Sequence, residues 1–137
     1  MGCKIQNIEF VLGNKKISNL DLHNLNPSYN FDKFEKKVGI KYRYNETNGN
    51  VITLAKKSIN KLLNKIEIDK SEIDYLIFCT QSPEYLIPTN ACILQNECGL
   101  KTNIGAVDIN LGCSGYTYGL SLAKALIDSN QANNVLL

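Results

Sequence analysis

Residues 105–128 constrain the fold more than any other stretch of this chain. Residues 106–111 form an apolar run interrupted only by Asp108 and Asn110, which reads as a buried strand. Gly112 permits a tight turn, and a helix is expected over 114–128. The charged residues of that helix, Lys124 and Asp128, both lie in its last turns. Its first half (Gly115, Tyr116, Gly119, Leu120, Leu122, Ala123) carries no charge on any face, so it is expected to be buried all round. A buried strand feeding a buried helix requires covering layers, which points to an α/β arrangement.

Cys113 stands where the strand stops and the helix starts. A helix N-terminus offers partial positive charge and free N–H groups, and both favour thiolate over thiol. Gly112 and Gly115, with Ser114 between, let backbone amides approach whatever bonds to the sulfur. Cys113 is therefore a candidate nucleophile. The other reading is a small hydrophobe in the core, the commonest use of cysteine.

The remaining pattern is alternating. Residues 3–12, with Ile5, Ile8, Phe10 and Leu12, read as a strand ending in a Gly13-Asn14 turn. A short helix is expected over 20–25 with Ser18 or Asn19 as cap, and His23 within it is read as a surface side chain. Phe31, Phe34 and Val38 mark an amphipathic helix over 31–38, capped by Gly39. Residues 40–44 alternate as a short strand. The clearest helix is 51–66, with Asn50 as N-cap and one apolar stripe from Val51 to Ile66. Residues 75–80 (YLIFCT) suit a strand buried on both faces, with Cys79 in the core. A loop over 81–86 leads to a helix over 90–98, with Thr89 as N-cap, Gly99 as stop, and Cys92 and Cys98 as packing residues. Residues 133–137 open a further buried strand, so the chain is expected to be part of a longer protein.

Composition excludes several functions. At net charge +2 the lysines form isolated pairs, at 15–16, 36–37 and 56–57, rather than a basic stripe, so nucleic-acid binding is not expected. The five cysteines contain no C-x-x-C pair and His23 is the single histidine, so no metal site is expected. Met1-Gly2-Cys3 begins like an acylation signal, but Gln6 stands where Ser or Thr is required. Neither a secretory leader nor a membrane span is visible; a cytoplasmic protein with reduced thiols is expected. Nucleotide-binding glycine motifs and a G-x-S-x-G elbow are absent from the sequence.

Residues 108–123 (DINLGCSGYTYGLSLA) resemble β-ketoacyl-acyl carrier protein synthase III, an initiating condensing enzyme of the thiolase superfamily. Weaker likenesses occur in the same order: Val38-Gly39-Ile40 followed by Lys41 and Arg43, then residues 69–81, then Ile87-Pro88-Thr89. The resemblance implies a thiolase-like α/β fold with a mostly parallel sheet and helices on both faces. These residues, 1–137, would be an incomplete N-terminal domain, the first half of a five-layer α-β-α-β-α molecule. It implies that Cys113 takes an acyl group from an acyl thioester, after which a malonyl thioester is decarboxylated and attacks the acyl-Cys. Backbone N–H groups at Cys113 and from the second half would form the oxyanion hole. The family's catalytic His and Asn would come from that absent half, and His23 does not match the former.

The family also implies acyl-CoA and acyl carrier protein as partners, no separate cofactor, and a homodimer. Ile87, before its Pro, would reach across that dimer into the partner's acyl pocket. The chain departs from the family in having no Trp; Phe34, Lys37 and Arg43 are the candidates for contacting CoA. Two other readings remain open: acyl transfer to an oxygen or nitrogen acceptor, and a non-catalytic half-domain that binds another chain.

Overall fold

The computed structural model describes residues 2–66 and 68–137. Met1, which opens the acylation-like start, lies outside the described residues. The elements in order are β1 (Lys15–Ser18), α1 (Asn19–Leu25), α2 (Phe31–Val38), β2 (Tyr42–Asn45), α3 (Val51–Ile66), β3 (Tyr75–Cys79), α4 (Asn90–Glu97), β4 (Gly105–Ile109), α5 (Gly115–Asp128) and β5 (Val135–Leu136). A 3-10 turn, Lys70–Glu72, precedes β3 and is capped by Asp69.

The centre is a three-stranded parallel sheet in the order β4-β3-β5. In β3, Leu76 and Ile77 are almost fully buried and point to opposite faces, as the apolar run requires. On one face α3 and α4 pack through Ile52, Ile59, Leu63, Ala91 and Leu94. On the other α5 packs through Ala123 and Leu126 against Ile77. Asp74 ties the sheet together at its start: its carboxylate accepts from the Asn133 amide (2.7 Å) and the Asn134 amide (3.1 Å).

A second, two-stranded antiparallel sheet joins β1 to β2, with Ile17 opposite Arg43. Here α1 has a capping box built by Ser18 and Asp21. Helix α2 ends at Gly39 in the left-handed region, φ 79°, where a side chain would be strained. The helix over 51–66 is found with its expected bounds, and Asn50 accepts from the Thr53 amide at 3.0 Å.

Three expectations are corrected. Residues 3–12 form no strand; the strand is Lys15–Ser18 instead. An extended segment becomes a strand only by filling a ladder, and among the described residues no strand pairs with this one. It is strapped to α3: Glu9 pairs with Lys61 at 2.8 Å and with Lys65, and the Phe10 carbonyl accepts from Lys61. These two ammonium groups, Lys61 first, hold the Glu9 carboxyl down at about 2. Second, the first half of α5 is not buried all round: Tyr116 is 51% and Tyr118 62% exposed, because no layer covers that side within the described residues. Third, Cys92 is exposed rather than packed, whereas Cys98 is buried, and burial pushes its thiol up.

Candidate active site

The chain leaves β4 at Ile109 and enters α5 at Gly115, so Asn110 to Ser114 make the turn. The Leu111 amide donates to the Ile109 carbonyl at 3.0 Å, and the Gly115 amide to the Gly112 carbonyl at 2.9 Å. Ser114 is the N-cap by backbone position, but its hydroxyl makes no capping bond. Cys113 is exposed on this turn. The amides of Gly112, Cys113 and Ser114 donate no hydrogen bond among the described residues. Three backbone donors and a thiol thus share one exposed corner at a helix N-terminus, which suits a thiolate or an oxyanion.

Two side chains from the end of β3 support this turn. The Cys79 thiol lies beneath it, 3.8 Å from the Leu111 carbonyl, and a Cβ at position 115 would collide with its Sγ. The Gln81 carboxamide lies against Gly112, where a Cβ would come within 2.8 Å of Oε1. Gly115 is therefore required by close approach, whereas at Gly112 the flexible Gln81 side chain could move aside. Cys79 is half-buried rather than in the core, and it packs against the Cys113 turn. Sequence reasoning did not single out Gln81; the glycine at 112 was its one available signal.

Cys113, Gly112, Gln81 and Tyr116 line a cavity of about 1300 Å³ whose walls also include Val135, Leu136 and the segment holding Ile5 and Ile8. Ile87, Phe34, Lys37 and Arg43 are not among its lining residues. Ile87 is 90% exposed in the loop between β3 and α4, joined to Pro88 by a cis peptide bond.

Phe34 and Arg43 are brought together: the guanidinium carbon lies 5.5 Å from the centre of the ring, within cation–π range. Arg43 also donates to Asn19 Oδ1 at 2.6 Å, while Asn19 Nδ2 donates to the Glu35 carboxylate (2.7 Å) and to the Ile40 backbone carbonyl (3.0 Å). Asn19 is buried and organises this cluster, a role its sequence position as a possible helix cap did not reveal. Lys37 is exposed in the last turn of α2. His23 is exposed, with Nδ1 3.3 Å from the Tyr29 carbonyl, apart from the Cys113 turn.

The family described as "Chalcone and stilbene synthases, N-terminal domain" matches residues 25–137. Among curated proteins, a Clostridium perfringens β-ketoacyl-[acyl-carrier-protein] synthase III is 39% identical over 101 residues, covering 74% of this chain and 31% of the relative. A Chlamydia caviae protein of the same name is 35% identical over 127 residues, covering 92% of this chain and 37% of the relative. Among solved structures, 3-oxoacyl-[acyl-carrier-protein] synthase III from Aquifex aeolicus superposes with a TM-score of 0.87 at 28% identity, over 98% of this chain and 43% of that one. Another structure of a 3-oxoacyl-(acyl-carrier-protein) synthase III gives 0.85 at 39% identity, over 96% and 39%. The chain spans about a third of the length of the curated relatives it matches.

Proposed function

The chain belongs to the β-ketoacyl-[acyl-carrier-protein] synthase III family of thiolase-like condensing enzymes, and from that premise we propose that it is the acyl-loading portion of such an enzyme. Cys113 is the nucleophile. Its thiolate attacks the carbonyl carbon of an acyl thioester, the carbonyl oxygen takes the negative charge, and the CoA or carrier-protein thiolate leaves as the acyl-Cys113 thioester forms. The free amides at 112–114 are the donors we assign to that oxygen. The observation that carries this reading is the exposed Cys113 on a strand-to-helix turn where the amides of Gly112, Cys113 and Ser114 donate no hydrogen bond among the described residues.

Condensation needs more than this. Loss of CO2 from a malonyl thioester builds an enolate, which requires donors aimed at its oxygen. We assign those to residues of a second α/β half, packing on the open side of α5 where Tyr116 and Tyr118 stand exposed. The exposed apolar run Tyr85, Leu86 and Ile87 is the surface that fits the homodimer contact, with Ile87 against an acyl chain. Phe34, Arg43 and Lys37 fit a CoA adenine and its phosphates, by stacking and by charge. No helix among the described residues is long and apolar enough to cross a membrane; a cytoplasmic enzyme is the reading that suits CoA thioesters.

The test is the intact mass of the chain after incubation with acyl-CoAs of increasing length, beside Cys113→Ala. A mass increase by one acyl group, absent in the variant, is expected. No adduct, or an equal adduct on Cys113→Ala, overturns the assignment. The chain alone is expected to form no ketoacyl product from acetyl-CoA and malonyl carrier protein.

A further inference from the structure

Asn90 is fully buried at the first position of α4, and every polar atom of its side chain is engaged. On one side is Asp108, in the strand that runs into Cys113. Asp108 Oδ2 accepts from the Asn90 backbone amide (2.7 Å) and from Nδ2 (2.8 Å), and Oδ1 accepts from the Ala91 amide (2.7 Å). On the other side is the loop that carries Ile87. Asn90 Oδ1 accepts from the Glu84 amide (3.0 Å) and the Tyr85 amide (3.3 Å), and Nδ2 donates to the Tyr85 carbonyl (3.0 Å).

Capping α4 explains only half of this. Thr89 occupies the N-cap position without a side-chain capping bond, and the Asp108 carboxylate serves the helix end in its place. That requires Asp108 and two backbone amides. The three bonds from the Asn90 side chain to Glu84 and Tyr85 add nothing to the helix; they fix the loop. A buried carboxamide has four hydrogen-bonding positions, and here two point at the catalytic strand's side and loop backbone while two hold loop amides. Such a saturated buried network is rigid, and it opens only at the cost of unpaired polar groups.

We propose that Asp108 and Asn90 are positioning residues that hold the Ile87 loop fixed on the sheet, so that across the proposed homodimer it meets the acyl chain of the partner subunit as a fixed wall and sets which acyl-chain lengths load. The inference rests on the proposed acyl-Cys113 reading and on Ile87 meeting the acyl chain. Apolar exposure at Leu86 (80%) and Ile87 (90%), beside backbone so firmly held, is what a fixed wall of an acyl site requires.

The test uses Asn90→Ala and Asn90→Ser. Hydrogen exchange at the Glu84 and Tyr85 amides should quicken by about tenfold or more, while the β3 amides stay protected. Loading of Cys113 across a series of acyl-CoAs should lose its length preference, with alkylation by iodoacetamide unchanged. Unaltered loop exchange, or an unaltered length profile with faster exchange, would overturn the proposal. So would unfolding of both variants, since the pair would then be ordinary core. The exchange measurement needs no acyl chemistry. A wild-type chain that never loads ends the acyl reading, whereas slow loop exchange in the variants ends this one.

Discussion

The two faces of the central sheet are covered unequally. On the α3–α4 face, Ile52, Ile59, Leu63, Leu76, Ala91 and Leu94 form a continuous core, with Leu94 wholly buried. On the α5 face the buried set is Ile77, Ala123, Leu126 and Ala132. That set is smaller, and half of it is alanine, while the large side chains at the N-terminal end of α5, Tyr116 and Tyr118, are exposed. The larger closed core therefore lies on the face away from Cys113, and among the described residues the face beside it is open at Tyr116 and Tyr118. The lesson is that an uncharged helix reports apolar surroundings without reporting which molecule, or which part of one, supplies them.

Substitutions can test that asymmetry directly. Leu94→Ala should give the largest loss, about 2–5 kcal/mol in denaturant unfolding, because it removes a fully buried side chain from a closed core. A loss below that range would mean the α3–α4 face can collapse around the gap. Gly115→Ala should come next. Alanine is the better helix former by about 0.5–1 kcal/mol, but its Cβ would strike Cys79 Sγ beneath the turn, an overpacking cost of about 1–3 kcal/mol. The net effect should be destabilising, and Cys79→Ala in the same chain should recover most of it. A double-mutant cycle that returns simple additivity would show that the turn does not rest on that sulfur.

What could be read from the sequence follows the same division. The helix over 51–66 and the strand after it were legible because their apolar periodicity is satisfied within the chain. The Cys113 turn was legible because two glycines and a strand-to-helix switch are local features. Residues 3–12 were misread because alternation signals a strand only when a neighbour completes the ladder. Likewise Phe34 and Arg43 could be named as candidates, but their stacking depends on Asn19, a contact between residues far apart in sequence. The clamp made by Asn90 and Asp108 was hidden for the same reason. Asp108 registered only as a polar interruption in an apolar strand, and its partner lies on another element.

The edge of the sheet offers a smaller, pH-dependent effect. The Asn133 amide first, and then that of Asn134, hold the Asp74 carboxyl below its ordinary value. A depressed carboxyl contributes stability that is fully present above its unfolded value, about 3.9, and lost as pH falls through the folded one. Wild type should therefore exceed Asp74→Asn in stability near neutral pH, and the two unfolding curves should converge on acidification. Curves that stay parallel down to strongly acidic pH would show that the charge of Asp74 does not hold β5.

The smallest expected effect is the most discriminating for the open face. Tyr118→Ser removes a large side chain from α5 that is 62% exposed. Within this chain it should change stability by no more than about 0.5 kcal/mol, the range of ordinary surface substitutions. If a second α/β half packs there, as proposed, the same substitution in a chain carrying both halves should cost several times more, since the ring would then be buried against it. Equal effects in the two chains would place the partner surface elsewhere. A large loss in the short chain alone would mean that Tyr118 already supports the fold, and that the two faces differ less than their coverage suggests.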